Sequence, residues 1–213
     1  MEYEEWKPCY EKILTEFGYN REEDERSASV LDRSLKGDRV DPSVLRALLS
    51  GKQVSVAGNA SSISADISSR TGVLITADEA TTVAIEAGFV PEVIVTDLDG
   101  RVEDQVEANA KGAIAVIHAH GDNVPAVKRW SPRFTARVVA TTQSRPFGRV
   151  YNFGGFTDGD RAVALAHHFG AARIRLLGFD FDHPNPKDED VATKRRKLQW
   201  ARRIVADLGV LSE

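Results

Sequence analysis

Two aspartates one residue apart, Asp97 and Asp99, close the run Val93-Ile94-Val95-Thr96 and are followed by Gly100. Three β-branched apolar residues in succession predict a strand buried inside a parallel sheet. The carboxyl ends of such strands border the ligand crevice of an open α/β sheet. Residues i and i+2 of an extended chain point to the same side, so both carboxylates are expected to converge on one point. Hard divalent cations such as magnesium bind through one or two carboxylates together with substrate phosphates. An Asp-Gly turn ending a strand would use the same residues, and the other polar clusters must decide.

Those clusters recur just after apolar runs: residues 58–62, Asp78, the aspartate pair, residues 118–123, residues 141–144 and Asp180. In a parallel sheet all of them fall along one edge. Gly58-Asn59-Ala60-Ser61-Ser62 leads from a strand into a helix whose free N–H groups could hold a phosphate, or it is a tight turn with Ser61 or Ser62 as cap. His118 and His120 share one side if their strand persists, without further ligands at a zinc spacing. Asp122 could join the aspartate pair on a metal or cap the helix that follows. Phe153-Gly154-Gly155-Phe156-Thr157-Asp158-Gly159-Asp160 offers caps in Thr157 or Asp158, glycines that let backbone approach a ligand, and aromatics that could stack on a flat heterocycle. Lys194 and Lys197, one helical turn apart, could reach one anion or form the wet side of a helix.

The elements that must position these residues alternate regularly. Strands are predicted at 53–57, 73–76, 93–96, 113–117, 137–141, 149–153 and 173–177. Helices are predicted at 63–69, 79–87, 102–111, 124–130, from about 158 to 169, and at 190–208. That alternation predicts an α/β fold, a mostly parallel sheet with helices on both faces. Ahead of it, residues 1–50 read as a small helical N-terminal region without obvious chemistry. Trp6, Tyr10, Ile13, Leu14 and Phe17 recur at helical spacing, the charge run 20–26 reads as a solvated loop or helix start, a second helix spans 28–35, and Asp41-Pro42 starts a third. Residues 51–213 form the second unit. The segment 179–191, rich in Pro and Asp, reads as a loop near the site.

Composition narrows the function classes. The 213 residues are 42% hydrophobic and 28% charged, with net charge −4, which gives no electrostatic case for nucleic acid or membrane binding. Cys9 is the only cysteine, so there is no internal disulfide and no Cys-rich zinc site. The acidic start Met1-Glu2-Tyr3-Glu4-Glu5 is not a signal peptide, and no stretch is apolar enough to cross a bilayer. The expectation is a cytoplasmic protein, with a homodimer left open.

Val95-Thr96-Asp97-Leu98-Asp99-Gly100, His118-Ala119-His120-Gly121-Asp122-Asn123, Thr142-Gln143 and the run from Asn152 to Ala162 together resemble a known family. It is the archaeal 6-hydroxymethyl-7,8-dihydropterin pyrophosphokinase (MptE-like) family, related in fold to the thiamine pyrophosphokinase catalytic domain. One departure is Gly58-Asn59-Ala60-Ser61-Ser62, where the family more often has a Gly-x-Gly-Pro-Ser-like turn. The resemblance implies transfer of diphosphate from ATP to the hydroxymethyl group of the pterin, releasing AMP. It implies Mg2+ on Asp97, Asp99 and Asp122, with His120 or Lys197 adding positive charge. It places the nucleotide at Gly58, Asn59, Ser61, Ser62, Asp78, Lys194 and Lys197. The pterin would meet Gln143, Asn152, Gly154, Gly155, Thr157, Asp158 and Asp160. The competing readings are a thiamine pyrophosphokinase, a glycosyltransferase-like relative, and a non-catalytic nucleotide-binding module.

Overall fold

The computed structural model describes residues 1–185 and 190–211. Its centre is a parallel sheet of β2 (Gln53–Ala57), β3 (Val73–Ala77), β4 (Val93–Thr96), β5 (Ile114–Ala119), β6 (Arg137–Thr142) and β8 (Arg173–Leu177). The edge of β6 carries two short strands, β1 (Asp38–Arg39) and β7 (Val150–Tyr151), each paired parallel to it. The order is β1-β6-β5-β4-β3-β2-β8. The chain therefore steps in one direction from β2 to β6 and then crosses back to lay β8 on the other side of β2. That reversal is a topological switch point, where ligands of open α/β sheets bind beyond the strand ends.

Alternate side chains of the buried strands feed different layers, as the pleat requires. Val93, Val95, Ile114 and Val116 join α3 (Ser43–Leu49) and α8 (Asp158–His168) in one cluster. Ala115, Ile117 and Ala119 point the other way, towards α7 (Val124–Trp130). The closing helix α9 (Val191–Asp207) packs on α8 through its buried face, Trp200, Ala201, Ile204 and Val205.

The N-terminal region differs from its sequence reading in detail. The charge run is no loop: it is the start of one helix, α2 (Arg21–Ser34), capped by Asn20, whose Oδ1 accepts from Glu22 N at 2.9 Å. Its Asp24 is buried, which charge patterning alone could not reveal. The third helix begins at Ser43, with Asp41 Oδ1 accepting from Ser43 N at 2.8 Å. Strand β1, too short for a periodic signal, was not anticipated. The helices α1 (Tyr3–Phe17) and α2 pack on different layers. Trp6, Tyr10 and Ile13 of α1 cluster with Phe156 and with Trp200 and Ile204 of α9. Ala28 and Leu31 of α2 cluster with Leu98, Ile117 and Val127. Of the segment 179–191, residues 186–189 lie outside the described residues.

Candidate active site

Strand β4 ends at Thr96, so Asp97 and Asp99 are presented by a turn and not by the strand's pleat. Leu98 between them has φ +72° and is buried, a left-handed conformation costly for a non-glycine residue and held here by its surroundings. Thr96 Oγ1 fixes that turn, accepting from Leu98 N at 2.8 Å and donating to Asp78 Oδ1 at 2.9 Å. Asp78, at the end of β3, has φ +46° and also accepts from Gln105 Nε2 at 2.8 Å. Gly100, φ +66°, leaves space that a Cβ would fill at 2.8 Å from Asp78 Oδ2.

Asp78, Asp97 and Asp99 each offer a carboxylate oxygen within 4.8 Å of the others. Burial and the neighbouring Asp99 push the Asp78 carboxyl well above the carboxylate range. Asp97 Oδ1 is buried without a hydrogen-bond partner among the described residues. Three hard oxygens, one of them orphaned and one titrating high through burial and the neighbouring acid, fit a divalent cation such as Mg2+. Asp122 is not in this group. Its side chain is 91% exposed and pairs with His120 Nδ1 at 2.8 Å, while His120 Nε2 meets Asp97 Oδ2 at 3.0 Å. Burial opposes charge on His120, but its hydrogen bonds to Asp122 and Asp97 prevail and raise it to about 9. The same imidazolium brings Asp122 down to about 2 and, against burial, holds Asp97 low. Asp158, at the first turn of α8, is raised to about 7 by burial and by the Asp97 charge, although Arg161 Nη1 lies 3.0 Å from it.

Beside the carboxylates, at the switch point between β2 and β8, lies a cavity of about 420 Å³. Gly58, Asn59, Asp78, Glu79, Asp99, Thr157, Asp158 and Lys194 line it, and Phe179 and Phe181 supply aromatic walls. Of the residues expected to hold nucleotide, Ser61 and Ser62 stay outside, both exposed, with Ser62 Oγ donating to Asp66 at 2.8 Å. Lys197 stands over the rings of Tyr19 and Phe156 at 6.0 and 5.8 Å, and its charge still acts on Asp97 and Asp122.

Of the residues expected to meet a heterocycle, Thr157 and Asp158 reach the cavity, with Gly159 beside them. The others are turned into the protein. Asp160 is fully buried and accepts from Phe156 N and Thr157 N at 2.6 and 2.8 Å. Asn152 donates to Ser144 O and accepts from Gly154 N, both at 2.8 Å. Gln143 donates to Asp24 Oδ2 at 3.0 Å and accepts from Arg161 Nη2 at 3.4 Å. A Cβ on Gly154 would lie 2.6 Å from Met1 Sδ, and one on Gly155, φ +94°, 2.5 Å from Arg161 Cα. The glycine pair thus lets Met1 and the Arg161 backbone approach closely. Sequence alone assigns no role to Glu79, Phe179 or Arg161. Glu79 and Phe179 each follow a strand end, the signal that found the others, whereas nothing local marks Arg161.

The family described as "6-hydroxymethylpterin diphosphokinase MptE-like" matches residues 40–186. The chain belongs to this family. A relative from Methanothermobacter thermautotrophicus named 6-hydroxymethyl-7,8-dihydropterin pyrophosphokinase is 41% identical over 96% of this chain and 94% of its own length. One of the same name from Pyrococcus furiosus is also 41% identical, over 96% and 93%. A third, from Methanocaldococcus jannaschii, is 35% identical over 96% and 95%. Among solved structures, the MAf glycosyltransferase from Magnetospirillum magneticum AMB-1 is 20% identical with a TM-score of 0.46, covering 82% of this chain and 30% of that one. That likeness is too distant to bear on the site.

Proposed function

We propose that this MptE-like chain, a diphosphotransferase, catalyses Mg2+-dependent transfer of diphosphate from ATP to 6-hydroxymethyl-7,8-dihydropterin, yielding the pterin diphosphate and AMP, a step towards a tetrahydrofolate- or methanopterin-type coenzyme. The observation that carries the chemistry is the carboxylate group Asp78, Asp97 and Asp99, of which Asp78 and Asp99 line the switch-point cavity. The acceptor comes from the three relatives' shared name. Both substrates are small molecules, and among the described residues no helix is long and apolar enough to cross a membrane.

In the transfer, the pterin hydroxyl oxygen bonds to the β-phosphorus, the bond from that phosphorus to the α,β-bridging oxygen breaks, and AMP leaves with the electron pair. Such chemistry rests on positioning and charge neutralisation. Asp78, Asp97 and Asp99 would hold the cation, which when bound neutralises polyphosphate oxygens. His120, held protonated between Asp97 and Asp122, is no general base and serves to orient Asp97. Asp158 lines the cavity with its carboxyl near 7, and is the group suited to take the hydroxyl proton. Lys194 supplies positive charge on the cavity wall.

Incubation with ATP, Mg2+ and the hydroxymethyl pterin, with products separated by chromatography, is expected to give AMP and no ADP. Thiamine offered in parallel is expected to give neither. Chelation of the metal should stop turnover, and Asp97→Asn and Asp99→Asn should each reduce it roughly a thousandfold, the several kcal/mol that metal stabilisation supplies. Pterin-independent ATP hydrolysis, or full activity in both variants, would contradict the reading.

A further inference from the structure

Helix α2 contributes to the site without touching it. Asp24 is 2% exposed, and a carboxylate removed from water must be hydrogen-bonded. Its Oδ2 accepts from Tyr10 OH at 2.6 Å and from Gln143 Nε2 at 3.0 Å. Its Oδ1 accepts from Gly121 N at 2.7 Å. One helical turn later Ser27, fully buried, donates from Oγ to Asn123 Oδ1 at 2.8 Å. Asn123 spends its whole hydrogen-bonding capacity at this point. Its Oδ1 also accepts from His120 N at 3.1 Å, and its Nδ2 donates to His118 O at 2.8 Å and to Asp97 O at 2.9 Å.

We infer that Asp24 and Ser27 are positioning residues for the diphosphate transfer, acting through the loop 120–123 to set where Asp97 points. The inference rests on the proposed function for its reaction, and on the hydrogen-bond chain for its geometry. The two pins fall on Gly121 and Asn123, inside the loop that also carries His120 and Asp122. From that loop one contact reaches the Asp97 backbone and another, His120 Nε2, reaches its carboxylate. Space is tight: a Cβ on Gly121 would stand 3.2 Å from Glu23 Cβ and 3.5 Å from Asp24 Oδ1. Since α1 packs towards α9 and α2 towards α7, the helix pair straddles the end of the sheet. The N-terminal segment is thus built into the support of a metal ligand. Direct hydrogen-bond partners of a metal ligand, as His120 and Asn123 are to Asp97, commonly change metal affinity ten- to a hundredfold when removed.

The test uses the full chain with Ser27→Ala, Asn123→Ala, the double variant, and Asp24→Asn as an isosteric second route. The expected result for Ser27→Ala is a rise of roughly tenfold in the Mg2+ concentration giving half-maximal rate, with the KM for the pterin unchanged at saturating metal. Asn123→Ala should shift it in the same direction and the double variant no further, since both act through one amide. Asp24→Asn should shift it likewise. In the metal-free chain, amide hydrogen exchange should accelerate at residues 97–100 as well as 118–123 in Ser27→Ala. An unchanged Mg2+ midpoint, additive shifts, or exchange at 97–100 identical to the parent would each overturn the inference. The exchange measurement needs no turnover. Failure of the parent chain to release AMP with the pterin would count against the proposed reaction alone.

Discussion

His120 is the residue whose charge couples most of the site. Its folded pKa of about 9 lies above the ordinary value of 6.5, so the folded chain binds its proton more tightly than the unfolded one. The resulting stabilisation is fully present below about pH 6.5 and disappears as pH rises through 9. That difference corresponds to about 3 kcal/mol at most. His120→Gln in the metal-free chain is therefore expected to lose stability at pH 6 and to match the parent near pH 10, as denaturant midpoints at the two pH values would show. Asp160, in the first turn of α8, makes a contrasting case. Two backbone donors, Phe156 N and Thr157 N, depend on it, and stranding buried donors costs about 1–3 kcal/mol. Asp160→Ala should lower the melting temperature, while Asp158→Asn should act on turnover.

At the scale of elements, three turns do what no regular structure does. The β4 turn carries a left-handed Leu98, the β3 turn a left-handed Asp78, and the turn into α8 the Gly154-Gly155 pair. Replacing Gly155 by Ala places a Cβ against the Arg161 backbone at a φ of +94°. The Arg161 guanidinium would shift from Phe156 O, to which Nη2 donates at 2.6 Å, and from Asp158. Gly155→Ala is expected to lower both stability and activity, and a variant with parental melting and turnover would refute that. Helix α9 brings Lys194 to the cavity wall and Lys197 to the Tyr19 and Phe156 rings. Although only one helical turn separates the two, Lys194 lines the cavity while Lys197 stands over the aromatic rings.

For the whole molecule, the N-terminal 39 residues and the sheet are expected to behave as one cooperative unit. Leu31 and Ala28 lie in a cluster with Ile117 and Val138 of the sheet, and Trp6 Nε1 donates to Gln143 O at 2.8 Å. Deleting residues 1–39 would expose that apolar surface and remove the bonds that Gln143 makes to Trp6 and Asp24 and that Gly121 makes to Asp24. The shortened chain should therefore lack a cooperative melting transition. A truncated chain that melts cooperatively and keeps its Mg2+ dependence would show the region to be an appendage.

The α/β class, the strand positions and the line of polar residues after the strands were legible in the sequence. They follow from local rules: apolar runs of strand length, helical periodicity, and turn residues between them. Family membership was legible for the same reason, being carried by ordered short motifs. Which acids gather was decided only by the tertiary structure. Asp78 stands beside Asp97 because β3 and β4 are neighbours in register, and Asp122 is turned to His120 instead. The fate of Asp160, Asn152 and the glycine pair was equally hidden, because a polar residue after a strand faces either the crevice or the backbone of the next loop. Strand order decided where the cavity opens, since β8 returns beside β2 through contacts more than a hundred residues apart. Burial of Asp24 depended on the same long-range closure: a charge inside an acidic helical run becomes a strut only when Gln143 and Gly121, about a hundred residues away, join Tyr10 of the preceding helix as donors.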